Sequence, residues 1–234
     1  MGFFAAIVVT VKLGRAEGID PKQITDMGFY MILAAILGSR AMYVLMNLPY
    51  YIDRPLDMLK IWKGGLVFSG GVIAALVVIV LYIRKHALPF LKVGDVWAPG
   101  LALGQGIGRI GCLMAGCCYG KPTHGVWGIV FTNPRCLAPL NTPLHPTQLY
   151  ASLSGFVLFF ILLILRKKRA FEGQVFLWFL ILHSMARLFM ERFRGDDRGI
   201  LPGTDMSVTQ GVTLVILIGA IVALWVLKRK RAKS

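Results

Sequence analysis

Residues 146–169 read PTQLYASLSGFVLFFILLILRKKR, an apolar run closed by Arg166, Lys167, Lys168 and Arg169. A bilayer's hydrocarbon core is about 30 Å thick and needs about 20 apolar residues to cross as a helix, so the stretch predicts a transmembrane span with a basic end. Similar runs lie near residues 27–48, 65–83, 95–116, 174–193 and 207–227, with a shorter stub over residues 1–11. The stub lacks a basic start and a small-residue cleavage site, so it reads as a shortened first helix rather than a signal peptide. Composition agrees: of 234 residues 56% are hydrophobic, against about 45–50% in soluble domains, and mean hydropathy is +0.68. The expected fold is all-α: a polytopic integral membrane protein of about seven transmembrane helices, the first shortened. An extracytoplasmic loop region over residues 117–145 separates spans 4 and 5, and the chain, 1–234, forms a single transmembrane domain.

The net charge of +15 would suggest nucleic acid in a soluble protein. Here the basic residues punctuate apolar runs, so nucleic acid is excluded as a partner. One set of alternate loops holds Lys12, Arg15, Lys22, Arg84, Lys85, Lys92, residues 166–169 and the tail of Lys228, Arg229, Lys230, Arg231 and Lys233. The other holds only Arg54, Lys60, Lys63, Lys121, Arg135, Arg192, Arg194 and Arg198. The richer set belongs in the cytoplasm. That places the C-terminus inside and the N-terminus outside a bacterial inner membrane, and makes the tail an anchor for anionic lipid.

Arg40, Arg109 and Arg187 fall within the apolar windows. Each costs about 2.5–3.5 kcal/mol to insert even on the lenient scale, and an anionic partner would repay that cost. Arg187, Glu191 and Arg194 form an R-x-x-x-E-x-x-R series whose spacing puts all three on one helical face. Glu191 then orients both guanidinium groups, either to present one to a phosphate or as a closed ion triad. The stretch from Gly104 to Gly120 reads GQGIGRIGCLMAGCCYG. It contains G-x-G-x-x-G, but no strand precedes it and no acidic residue follows about 20 positions on, so a dinucleotide site is rejected. Glycines at 100, 104, 108, 116 and 120 also have helix-packing spacing. Packing leaves Arg109 unexplained, and a headgroup anchor accounts for it.

Cys112, Cys117, Cys118 and Cys136 have a spacing unlike the usual zinc pairs, with two adjacent cysteines poorly disposed to share one ion. No metal and no cofactor is assigned. A disulfide from Cys117 or Cys118 to Cys136, or plain burial, is the expectation. His145, Gln148 and Tyr150 stand at the start of the 146–165 run, where Pro146 and Thr147 suit a first helical turn. Ser69 is the hydroxyl between Gly64-Gly65 and Gly70-Gly71.

These motifs in this order closely resemble the bacterial prolipoprotein diacylglyceryl transferases: Gly64-Gly65 with Phe68-Ser69-Gly70-Gly71, Gly108-Arg109-Ile110-Gly111, Gly116 to Gly120, His145 to Tyr150, and Glu191-x-x-Arg194. The resemblance covers nearly the whole chain. It implies transfer of a diacylglyceryl group from phosphatidylglycerol to the lipobox cysteine thiol of a preprolipoprotein, leaving glycerol 1-phosphate. Phosphatidylglycerol, the preprolipoprotein signal peptide and membrane lipids are the implied partners. Arg109 falls on the family's phospholipid-binding arginine and Arg194 on its second essential arginine, with His145 in its signature run. Gly108, Gly111 and Gly120 join Arg109 in binding phosphatidylglycerol, and Ser69, Gln148, Tyr150, Arg187 and Glu191 support the site. Three departures stand out: Ser69 replaces the histidine of the family's F-H-G-G, Cys112 its asparagine, and Ala151 an acidic residue. Two other readings compete: a catalytically impaired phospholipid- or lipoprotein-binding relative, and a membrane thiol oxidoreductase using the cysteines, although it lacks a C-x-x-C pair.

Overall fold

The structure is a computed structural model that describes residues 1–196, 199, 203–204 and 206–233, without the side chains of residues 63, 232 and 233. Arg198, counted above in the smaller basic set, lies outside the described residues. Eight α-helices run in order: α1 Gly2–Arg15, α2 Pro21–Met46, α3 Leu48–Ile52, α4 Phe68–Lys85, α5 Phe90–Met114, α6 Thr147–Lys167, α7 Gln174–Glu191 and α8 Val208–Lys233. All seven apolar segments of the sequence are helical, and the stub continues to Arg15. Among the described residues four helices, α2, α4, α6 and α8, are long and apolar enough to cross a membrane by length and composition. The fold is mostly helical and consistent with a membrane protein.

All-α needs one correction. In the loop after α5, β1 (Ile129–Val130) pairs antiparallel with β2 (Pro143–Leu144), in the register Ile129 with Leu144 and Val130 with Pro143. A loop of this length must pair its backbone polar groups, and a short ladder does so.

The chain divides into two compact units, residues 11–90 and residues 1–10 with 91–234. In the first, α2 begins where Asp20 accepts the Lys22 amide hydrogen bond at 2.8 Å ahead of Pro21, a capped start with proline in the first turn. Small residues let α2 and α4 approach closely: a Cβ on Gly71 would come within 2.8 Å of the Ala35 carbonyl. Outward faces carry exposed apolar side chains such as Leu37, Ile73 and Leu81, as suits a lipid solvent.

In the second unit, the glycines of α5 divide their labour. A Cβ on Gly104 would meet Ala6 Cβ at 3.1 Å and the Gly2 carbonyl at 3.3 Å, so this face receives α1. Gly106 faces α6 instead, where Ser152 Oγ donates to its carbonyl at 2.7 Å. Ala98 and Ala102 then pack with Leu158, Leu162, Val175 and Phe179 into the core between α5, α6 and α7. The completely buried Asp95 caps α7 from α5, accepting the amides of Gly173 at 2.7 Å and Phe176 at 2.8 Å. Arg169 approaches the same carboxylate at 3.6 Å. On α7 and α8, Leu177, Ile181 and Ala220 complete the packing.

Candidate active site

The site forms where the end of α5, the loop behind it, the start of α6 and the end of α7 converge. Gly120 is its hinge point. Its amide donates to the His145 carbonyl at 3.1 Å, the Lys121 amide donates to the Phe193 carbonyl at 2.8 Å, and the Gly195 amide to the Tyr119 carbonyl at 3.2 Å. Gly120 thus bridges to Arg194, and a Cβ on it would strike the His145 carbonyl at 2.5 Å and the Phe193 carbonyl at 2.9 Å. No side chain fits between two backbones this close.

The start of α6 grips the cysteine loop. Thr147 Oγ1 donates to the Cys118 carbonyl at 2.7 Å, and Gln148 Nε2 to the Cys117 carbonyl at 2.8 Å. Cys118 has φ of 59°, a left-handed conformation that is strained for a residue with a side chain and characteristic of sites held by their surroundings. Gln148, 1% exposed, keeps an Oε1 acceptor with no hydrogen-bond partner among the described residues.

Arg194 departs from expectation. The R-x-x-x-E-x-x-R series was read as one continuous helical face, but α7 ends at Glu191 and Arg194 lies beyond it. Glu191 pairs with Arg187 at 3.4 Å and accepts from Ser207 Oγ at 2.8 Å. Arg194 instead binds Asp196 through both fork nitrogens, Nε to Oδ1 at 2.7 Å and Nη2 to Oδ2 at 2.8 Å. It is only 6% exposed. Burial disfavours its charge, yet its bonds to Asp196 and Cys118 outweigh this and hold it above the usual arginine value.

Arg109 stands on the last turns of α5, partly buried, with no carboxylate partner among the described residues. Its field reaches Cys118 and also His183 on α7. Burial raises the Cys118 thiol, but hydrogen bonding and charge from Arg194, with Arg109 behind it, bring it below the ordinary cysteine value. Burial pushes Cys117 the other way, up to about 12, with Cys118 and Cys112 adding to the rise. All four cysteines are free thiols, in place of the expected disulfide. Cys136 contacts the Ala138 carbonyl at 3.5 Å, while Cys117 turns to the Cys112 carbonyl at 3.6 Å.

Other expected residues fall out as follows. A Cβ on Gly108 or Gly111 would meet nothing within 4 Å among the described residues, although the Gly108 amide lies close to α1, 3.3 Å from where a Cβ on Gly2 would stand. His145 packs edge-on to Phe193 at 5.4 Å and lies 6.4 Å from the Tyr150 ring. From Tyr150 an apolar groove of about 370 Å³ runs along α6 and α7, lined by Leu153, Val157, Ala186 and Phe189. Ser69 belongs to the other unit, exposed in the first turn of α4. There Arg40 also departs from expectation. Its partners are carbonyls rather than an anion: Met58 at 2.8 Å, Gly64 at 2.8 Å, Gly65 at 3.1 Å and Asp57 at 2.6 Å. Gly64 and Gly65, at φ of 83° and 76°, turn those carbonyls inward, and Tyr43 and Tyr51 flank the guanidinium.

Sequence reasoning missed Asp196, His183 and Gly195. A signal existed for each: Asp196 two residues after a required arginine, His183 one helical turn before Arg187, and Gly195 beside a buried residue. A Cβ on Gly195 would meet the Gly120 carbonyl at 2.7 Å.

The fold and site are those of an apolar helical protein with one arginine held by a carboxylate, Arg194, and another, Arg109, without a carboxylate partner among the described residues. The family comparison is specific: the chain belongs to the prolipoprotein diacylglyceryl transferase family, whose sequence pattern matches residues 1–226. It is 38% identical over 223 residues to the phosphatidylglycerol-prolipoprotein diacylglyceryl transferase of Clostridium tetani, covering 95% of this chain and 88% of that one. It is 33% identical over 234 residues to the second such enzyme of Clostridium perfringens, covering 100% and 90%. Against the Thermotoga maritima enzyme the identity is 38% over 225 residues, covering 94% and 75%.

Proposed function

We propose that this protein transfers a diacylglyceryl group from phosphatidylglycerol to the lipobox cysteine thiol of a preprolipoprotein. The substrate sulfur attacks the glyceryl carbon, the C–O bond to phosphate breaks, and glycerol 1-phosphate leaves. A thioether remains on the protein substrate. Family membership over nearly the whole chain is the observation that carries this reading.

The chemistry demands stabilisation of charge on the departing phosphate. Arg109 and Arg194 take that role, with Asp196 fixing the second fork in position. Gly108 and Gly111, where an added Cβ would meet no described atom within 4 Å, leave room for the headgroup beside Arg109. Gly120 keeps Arg194 against the α6 start, and Thr147 and Gln148 hold the intervening loop. The groove beside Tyr150 suits an acyl chain. His145, with its ring 6.4 Å from that of Tyr150, serves as a positioning or proton-accepting group, while Arg187 and Glu191 brace the end of α7.

The seven long helices act as seven spans, with α1 reaching only part of the bilayer. The N-terminus lies outside, the C-terminus in the cytoplasm, and the loop between α5 and α6 on the outer face of the bacterial inner membrane. The uneven spread of basic residues supports this orientation.

Complementation of a bacterium depleted of its transferase tests the reading. The wild-type chain restores growth and phosphatidylglycerol-dependent modification of a lipobox peptide; Arg109→Ala loses about 100-fold or more in kcat/KM, the scale of one oxyanion-type donor. Normal turnover by that variant overturns Arg109 as headgroup anchor. A folded wild-type chain that binds phosphatidylglycerol without transfer is the impaired relative instead.

A further inference from the structure

Phosphate chemistry leaves one cluster of the site without a task. The sulfurs of Cys112, Cys117 and Cys118 all lie within 4.8 Å of one another. Three sulfurs bound at about 2.3 Å to one zinc-type ion sit about 3.8 Å apart, so small side-chain rotations close the set. Adjacent cysteines seldom converge, but the left-handed turn at Cys118 reverses the chain. Gln148 and Thr147 pin the two carbonyls that flank this turn, which pre-forms the cluster. Three thiolates around a divalent ion leave one net negative charge. Arg194, whose backbone pairs with Gly120 two residues after Cys118, brings positive charge to this loop. No further His, Cys, Asp or Glu joins the group among the described residues. Among the described residues one tetrahedral position is thus open, the pattern of a catalytic rather than a structural zinc site.

We propose that Cys112, Cys117 and Cys118 hold a thiophilic divalent ion of the zinc type, and that its open position receives the thiol of the protein substrate. This rests on the transferase reading and deepens it by naming how the nucleophile is made. The incoming thiol displaces a bound water and releases its proton to solvent, becoming a metal-bound thiolate. Its sulfur then forms the bond to the glyceryl carbon as the carbon–oxygen bond breaks. The electron pair leaves on glycerol phosphate beside the two arginines. The product thioether is a poorer ligand than a thiolate, so it departs and water returns. No electron is gained or lost, and no side-chain base is required in a chain that carries Ser69.

The test uses the full chain in detergent, reduced and loaded with zinc or cobalt(II). The expected result is one ion per chain, and for cobalt a sulfur-to-metal charge-transfer band. A lipobox peptide alters the cobalt d–d spectrum, and the same peptide with serine for cysteine leaves it unchanged. Each of Cys112→Ser, Cys117→Ser and Cys118→Ser weakens ion binding at least about tenfold, on the scale of losing part of a metal's ligand set. Cys136→Ser binds as the wild type does. Chelation lowers transfer at least about tenfold and zinc restores it. Three freely reactive thiols with no bound ion, a cobalt spectrum indifferent to the cysteine peptide, or full transfer in chelator would each overturn the proposal. A chain whose cobalt spectrum responds to the thiol peptide but which transfers nothing under any metal load overturns the transferase reading and leaves the ion site standing.

Discussion

Arg194 and Arg109 are the same residue type held in opposite ways, and the difference assigns them different work. Arg194 is nearly buried and gripped by Asp196 through two bonds, so its fork points one way before any ligand arrives. Arg109 has no such carboxylate among the described residues and keeps its charge for a ligand. Asp196 is therefore a positioning residue. Asp196→Asn is expected to lower kcat about 10- to 100-fold with little change in KM for phosphatidylglycerol, because an aimed guanidinium matters most where charge develops. Asp196→Glu, which keeps the charge, should recover part of the rate. Equal loss in both variants with unfolding in detergent would reduce Asp196 to a structural role. The pairing was hidden from sequence because helical periodicity was carried three residues past the true end of α7 at Glu191. Arg40 misled for a related reason: its cost in an apolar window is met by backbone carbonyls, which a residue pattern does not display.

At the scale of the elements, the helices were readable because a lipid solvent demands long apolar runs and little else resembles them. All the runs became helices, with ends displaced by a few residues. What the runs could not show was how glycines on one helix serve different neighbours. Gly104 meets α1, Gly106 meets α6, and an added Cβ on Gly108 would meet no described atom although its amide lies close to Gly2. Identical spacing concealed separate roles, since spacing fixes a face but not its occupant. The small sheet between α5 and α6 was equally silent, being only two residues per strand. Asp95 is the strongest tie between elements. It caps α7 from α5, so Asp95→Ala leaves the amides of Gly173 and Phe176 without their acceptor. Each bond to a charged group contributes about 1.5–3 kcal/mol, and the variant, without both, should lose about 3–6 kcal/mol. Thermal unfolding in detergent measures this, and Asp95→Asn, which keeps one acceptor, should fall between the variant and the wild type. An unchanged melting temperature for the alanine variant would mean that water caps α7 equally well.

The whole molecule is a solution to two demands on positive charge: orienting a chain in a bilayer and binding an anionic lipid. On the proposed reading most of its 26 basic residues belong to the first, and the two proposed for the second, Arg109 and Arg194, both act on Cys118 just beyond α5. Orientation then decides chemistry, because the lipobox thiol and the α5–α6 loop must meet on one side of the membrane. On the proposed orientation that side is the outer one, and accessibility to a reagent tests it. In a cysteine-free chain in intact cells, a membrane-impermeant maleimide should label a cysteine introduced at His124, in the loop between α5 and α6, and leave one introduced at Lys230 unlabelled until the membrane is opened. The energetic basis is modest per residue, about 1 kcal/mol for each basic side chain near an anionic surface, but it accumulates along a tail carrying Lys228, Arg229, Lys230 and Arg231. The reverse labelling pattern would move the loop to the cytoplasm and place the arginines on the wrong face for a substrate thiol delivered outside. Replacing those four tail residues with neutral ones separates the two demands: in the cysteine-free chain labelling at residue 230 should become mixed, while in the chain that keeps its native cysteines transfer by the correctly inserted fraction should keep its wild-type KM for phosphatidylglycerol. A changed KM would show instead that the tail contributes to lipid binding at the site.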